Sequence, residues 1–243
     1  MRLSTVCAFL VLANYSLGQT SLGIVVEPTL NFTHIGLEPK NLSDSFSRMK
    51  SHDYTVGLGI EIRKNIDRFR SYSIIPGFHQ TNTLTALENL QFLDIVHPQL
   101  PEIRDLAFAA TKRAEICYRQ MYLGSQFLYN KQLKVKGVNS KVKVNIGGGL
   151  GAFILFSHDT KVTTEGFTIN GNYTTIIKDS TGVEINPFLC QVLLTADFTI
   201  KVLPSTDLVG GIKATLPVTA TTSSQPKMTV WTPALRIGIR QLL

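Results

Sequence analysis

The sequence predicts an all-β protein, an eight-stranded antiparallel up-and-down transmembrane β-barrel with short periplasmic turns and longer extracellular loops. Three observations predict it. Along 141–156, Val142, Val144, Ile146, Leu150, Ala152, Ile154 and Phe156 share one parity, while Lys141, Lys143, Asn145, Gly147, Gly149 and Gly151 share the other. Successive strand side chains point to opposite faces, so this segment has one greasy face and one polar-to-empty face. A secretory leader precedes the pattern. Short and long links then alternate between the strands, as an even-stranded barrel with both termini on one side requires.

The leader opens with Met1 and Arg2, continues through an apolar stretch over 6–13 that is too short to span a bilayer, and ends on Ser16, Leu17 and Gly18. Small residues at such a site place cleavage near Gly18. Residues 1–18 are therefore expected to be a signal peptide, and 19–243 one outer-membrane β-barrel domain. Cys7 lies inside the apolar stretch with no lipobox before it, so no lipid anchor is expected.

Composition narrows the class. Charged residues make up 17% of the chain, against roughly 25% in soluble domains. No run reaches the roughly 20 apolar residues that a spanning helix needs. A membrane crossing must then be made by a closed barrel, because lipid leaves no other partner for backbone polar groups. The formal net charge is +7. The basic residues are scattered, without a cluster, on an exported chain; this argues against nucleic acid and for a basic exterior beside an anionic lipid surface.

The first strand is expected over about 22–32, with Leu22, Ile24, Val26, Leu30 and Phe32 on one face. The second, over 54–64, sets Tyr54, Val56, Leu58, Ile60 and Ile62 against Thr55, Gly57, Gly59, Glu61 and Arg63. The third, over about 69–81, carries Tyr72, Ile74 and Phe78 on its apolar side. The fourth, over about 114–129, is rich in aromatics but alternates poorly. The fifth is 141–156. The sixth, over about 186–202, opposes Phe188, Cys190, Val192, Leu194, Ala196, Phe198 and Ile200 to Gln191, Thr195, Asp197, Thr199 and Lys201. The seventh and eighth cover about 208–219 and 230–243.

The links 65–68, 131–139 and 203–207 are short; 34–53, 82–113 and 157–185 are long, and 220–227 is a shorter polar one. Pro101, Ile103, Leu106, Ala107 and Ala110 have helical spacing, so the second long link holds either a short surface helix or a plain loop. A hairpin around 90–96 would raise the strand number to ten. Cys117 and Cys190 fall on non-neighbouring strands and are expected to stay free thiols, since bridging them would be geometrically hard. Tyr54, Tyr72, Tyr118, Tyr122, Tyr129 and Trp231 lie toward strand ends, as membrane-interface girdles do.

The last strand sets Leu235, Ile237, Ile239 and Leu243 against Arg236, Gly238 and Arg240. This segment resembles the C-terminal assembly signal of outer-membrane barrels, and Arg236, Gly238 and Leu243 fit it; Gln241 and the terminal Leu depart from it. Through 54–62, the Gly-rich 145–156 strand, the 186–202 strand beginning Asn-Pro-Phe, and the Arg236-Ile-Gly-Ile-Arg ending, the chain resembles the PorT-type outer-membrane β-barrel family of Gram-negative bacteria. The resemblance implies an eight-stranded barrel inserted by the outer-membrane barrel assembly machinery. No motif carries over the secretion role of the member that names that family.

An eight-stranded barrel is just wide enough to be filled by its own side chains. The inward set is expected to include Glu61, Arg63, Lys141, Lys143, Asp197, Lys201, Lys213, Arg236 and Arg240. Charges of both signs in a confined lumen should pair into a plug, since an unpaired buried charge is costly. The alternative is a narrow pore that favours anions. At the expected extracellular rim, His79, the His158–Asp159 neighbours, His34, His52, Asp44 and Asp53 are the titratable candidates. They show no nucleophile, zinc-protease or paired-carboxylate signature, so neither catalysis nor a metal site is expected, and no cofactor. The glycines at 147–151 do not form a phosphate loop, because a strand and not a helix follows them.

The reading is a non-enzymatic integral protein of the outer membrane, monomeric, in contact with outer-membrane lipids and the assembly machinery. Its structural or surface-interaction role would lie in its extracellular loops, through envelope or secretion partners. The rivals are the anion-leaning pore, an outer-membrane hydrolase or acyltransferase, and a soluble secreted lipocalin-like binding protein.

Overall fold

The computed structural model describes residues 20–36, 47–49, 52–90, 112–133, 142–165, 174–177, 184–224 and 227–243. The expected signal peptide, Lys141, Asp44, and the helix and hairpin considered for 90–110 lie outside these residues, save Leu90.

Ten strands are present among the described residues: β1 (Thr20–Gly36), β2 (Ser47–Met49), β3 (His52–Asn65), β4 (Arg70–Leu90), β5 (Lys112–Leu133), β6 (Val142–Glu165), β7 (Thr174–Ile177), β8 (Phe188–Leu203), β9 (Thr206–Pro217) and β10 (Lys227–Leu242). Eight of them close a ring in the order β1-β3-β4-β5-β6-β8-β9-β10, with β10 returning to β1, and every pairing is antiparallel. Each long strand pairs with its neighbours in the chain, so this is an up-and-down barrel of eight strands. The short β2 and β7 stand outside the ring, on β4 and β6.

Closure removes both sheet edges. The last residues complete it: the Leu243 amide donates to the Thr20 carbonyl at 3.0 Å, and the Leu242 amide to the Ser205 carbonyl at 2.8 Å. The 66–69 and 204–205 turns lie at this same end of the barrel, beside the start of β1 and the end of β10.

Orientation follows the alternation. Ile154 is 65% exposed, Leu194 53% and Ile237 57%, while Glu61 and Arg236 are each 1% exposed. A soluble sandwich or lipocalin places such aliphatic residues in its core. Here the apolar residues form an outer belt, and the buried set is dominated by Thr, Asn, Gln, Ser and charged groups.

The ring strands match the expected ones in number and order, but three are much longer. β4, β5 and β6 have 21, 22 and 24 residues, about twice the roughly 9–11 that cross a bilayer. The regular run of outward apolar residues stops near Phe78, Met121 and Phe156, and the strands continue with a largely polar sequence in which β4 still carries Leu84, Ala86 and Leu87. Part of the links expected over 82–113 and 157–185 is therefore strand. A register shift marks the boundary on β6: Tyr122 opposes Leu155 and Met121 opposes Ser157, leaving Phe156 as the extra residue of a bulge. A bulge increases local twist and reverses side-chain parity beyond it. Thr160 accordingly points inward, where Phe153 and Gly151 set the opposite parity below.

Two inward layers are apolar. Ile75, Leu128 and Leu193 form one cluster; Tyr122, Phe153 and Leu189 form another, with Leu155 packed against it. They explain why β5 alternates poorly in sequence: Tyr118, Tyr122 and Leu128 are fully buried in the lumen. Tyr118 and Tyr122 are thus not girdle residues. Tyr54, Tyr129 and Trp231 do face outward, and Trp231 stacks on Phe32 with ring centroids 4.7 Å apart.

Candidate functional site

The lumen is where the charged side chains meet, and strand register decides which of them can. Arg236 on β10 opposes Gly211 on β9, and Gly211 opposes Asp197 on β8. With no side chain at Gly211, Arg236 reaches across it, and its Nη1 donates to Asp197 Oδ2 at 2.6 Å. A Cβ on Gly211 would collide with that carboxylate. The device recurs at the other flank. Arg240 on β10 opposes Gly23 on β1, Gly23 opposes Glu61 on β3, and Arg240 Nη1 lies 3.6 Å from Glu61 Oε1. Inward glycines thus let ion pairs form between strands two apart.

Arg236 also lies 3.3 Å from Glu61 and 3.7 Å from Glu27. Lys213 pairs with Glu27 Oε2, and Gln126 donates to the same oxygen at 3.1 Å. Ser73 donates to Glu61 Oε1 at 2.7 Å. Arg240 reaches Thr199 at 3.3 Å and Asp207 at 3.8 Å, and Arg63 donates to Asn145 Oδ1 at 3.4 Å. Side chains from β1, β3, β4, β5, β6, β8, β9 and β10 are all joined, so the network ties the whole ring together.

Of the expected inward charges, Glu61, Arg63, Asp197, Lys213, Arg236 and Arg240 are in this network. Lys143 and Lys201 share the inward parity, but they are exposed at the turn end of the lumen and join none of its ion pairs. Arg236, Gly238 and Leu243, assigned to the C-terminal signal, sit differently from one another. Arg236 is the centre of the network, Gly238 lies against β1, where a Cβ would meet the Ile24 carbonyl at 2.7 Å, and Leu243 is exposed.

Sequence reasoning missed Glu27. Its signal was available: Glu27 shares the parity of Val25 and Thr29, opposite to Leu22, Ile24 and Val26.

The rim candidates for chemistry are dispersed. His79 is not at the rim; it is buried in the lumen, tilted against Phe153 at a centroid distance of 5.1 Å and 3.4 Å from Gln191. His158 and Asp159 are on β6 beyond the bulge and exposed, where a loop was expected. Asp53 is on β3, accepting from Asn82 at 2.8 Å. His34 is on β1. No group of three metal-binding side chains occurs among the described residues. Cys117 and Cys190 are free.

At the turn end the chain reverses through 66–69, where Asp67 Oδ1 accepts from the Phe69 and Arg70 amides at 2.8 Å each and Oδ2 takes Arg70 Nε at 2.5 Å. The amide of Phe69, then Arg70, holds the Asp67 carboxyl below the usual aspartate range. Asp67 and Arg70 thereby satisfy each other.

No family model and no curated protein sequence matches this chain. Solved structures similar to it include Neisserial surface protein A (9% identity, 91% of this chain and 97% of that one, TM-score 0.41). The outer membrane protein OprG from Pseudomonas aeruginosa is also similar (10%, 93% and 97%, 0.39), as is Ail, the attachment invasion locus protein of Yersinia pestis (13%, 93% and 99%, 0.32). At these scores the likeness adds no weight of its own, and the fold stands on the strand pairing.

Proposed function

We propose that this chain is an integral outer-membrane β-barrel of a Gram-negative cell, with a lumen sealed by its own ion pairs and a non-enzymatic surface-interaction or envelope-structural role. The observation that carries the reading is the inversion of the usual burial pattern. A closed ring with aliphatic residues outside and charges inside is stable only where the outside is hydrocarbon. In water the outer belt would be an exposed apolar surface far beyond what soluble monomers show.

The filled lumen supports a plug over the rival pore. Arg236, Glu27, Lys213, Leu128 and Leu193 are buried across the section through which an ion would pass. The polar extensions of β4, β5 and β6 beyond the apolar belt, with β2 and β7 added to them, form the surface from which partners would be met. The finer resemblance to PorT-type barrels, delivery by the barrel assembly machinery, and cleavage near Gly18 belong to the same proposal.

The test is membrane partitioning with gel mobility. The protein should stay in the membrane fraction through high-salt and alkaline washes, and its unboiled form should migrate faster than its boiled form. Release of native protein into detergent-free buffer would end this reading.

A further inference from the structure

The turn end of the lumen holds a basin of about 450 Å³, and its walls are unusually cationic. Arg63, Lys143, Lys201 and Arg240 enter it from β3, β6, β8 and β10. Among the described residues, the carboxylates lining it are Asp67 and Asp207. Asp67 is taken by Arg70, and Asp207 lies 3.8 Å from Arg240. Arg240 is further shared with Glu61. Lys143, Lys201 and Arg63 have no carboxylate within ion-pair distance among the described residues, although Arg63 does reach the Asn145 amide oxygen.

This differs from the lumen above it, where Glu27, Glu61 and Asp197 each face a cation. Opposite charge balances the barrel's middle; like charge converges at its turn end. Four cations drawn from four strands around one open volume repel one another, and that repulsion is relieved by a counter-anion. The basin also has a floor. The Arg236 network and the Ile75, Leu128 and Leu193 layer close the lumen beyond it. An anion entering from the turn end can bind there but cannot pass through. The volume is within the usual range for small-ligand sites, and a guanidinium with two ammonium groups suits the tetrahedral oxygens of phosphate.

We propose that this basin binds a multiply charged phosphate group, either of a small soluble molecule or of an anionic phospholipid headgroup. The inference goes beyond the membrane assignment and needs only the folded barrel.

The experiment uses the full folded barrel in a non-ionic detergent, titrated with inorganic pyrophosphate and followed by calorimetry. Saturable binding is expected, weakening as salt rises. A Lys143→Ala/Lys201→Ala double variant should bind at least tenfold more weakly. Both side chains are exposed at the mouth, so its heat-modifiable gel shift should match the parent's. Lys161→Ala, exposed on the far side of the β6 bulge, should bind as the parent does. Absence of saturable binding, or equal binding by the double variant and the parent, overturns the proposal. The source is then read in nanodiscs. If adding phosphatidic acid, whose phosphomonoester can carry two charges, to a phosphatidylcholine disc displaces pyrophosphate, the ligand is a headgroup; if binding is unchanged, it is soluble, and either result upholds the site. Should the membrane-partition test fail while pyrophosphate still binds, the location is wrong and the site stands.

Discussion

Arg236 is one guanidinium facing three carboxylates, those of Glu27, Glu61 and Asp197. Buried ion pairs add little net stability against well-packed apolar substitutes, but removing one partner strands the others. Glu27 would retain Lys213 and Glu61 would retain Arg240, while Asp197 would lose its 2.6 Å partner. Arg236→Leu should therefore lower unfolding stability in detergent by about 3–5 kcal/mol, read from urea titration of the folded band. Adding Asp197→Leu should restore part of it, because no charge is then left alone. A single variant as stable as the parent would show that the pairs contribute nothing. At this scale parity puts Glu61, Asp197, Lys213, Arg236 and Arg240 on the lumen face, but reading it strand by strand left out Glu27. The sequence was silent on partners: Glu27 and Lys213 are 186 residues apart, and Glu27 and Gln126 are 99 apart.

The glycines of β6 separate two reasons for having no side chain. Gly149 faces the lumen side of the pleat, and a Cβ there would strike the Phe127 carbonyl and approach Leu128 Cα at 3.0 Å on neighbouring β5. Gly148, one residue earlier, would place its Cβ at ordinary contact distances, 3.7 Å from the Leu193 carbonyl. Gly149→Ala should cut the yield of heat-modifiable barrel severalfold in refolding, while Gly148→Ala should leave it near the parent level. Equal yields would mean that the close approach of β5 and β6 is not what Gly149 serves. The same strand shows where pattern reading stops. Up to Phe156 one face is the apolar outside of the ring and the other the lumen, so apolar and polar residues alternate. Beyond the bulge both faces are polar, the period of two disappears, and a strand continuing to Glu165 reads as a loop. β4 beyond Phe78 and β5 before Met121 also lose the strict alternation, because their few apolar residues, such as Leu84, Ala86 and Leu87, do not keep a period of two.

For the whole molecule, the two ends of the barrel differ in kind. One carries the short 66–69 and 204–205 turns and the cationic basin; the other carries the long polar extensions. With the short turns in the periplasm, a His158→Cys variant in a background with Cys117 and Cys190 changed to Ser should react with a membrane-impermeant maleimide on intact cells. A Lys201→Cys variant should react only after the outer membrane is opened. The reverse pattern would place the basin at the cell surface and invert the topology.

By itself the sequence determined the order of the ring strands and the oily face of most of them, while leaving eight or ten strands open and the face of the fourth unread. Those properties follow from a two-residue side-chain period that is local to each strand, and from link lengths that are local to each pair. Only the tertiary structure decided which charges pair across the lumen, that Glu27 is one of them, and that positive charge is left over at one end. Closing the ring brings β1 against β10 and β4 against β5, and the contacts made across that closed interior depend on register and on inward glycines in strands far apart in the chain.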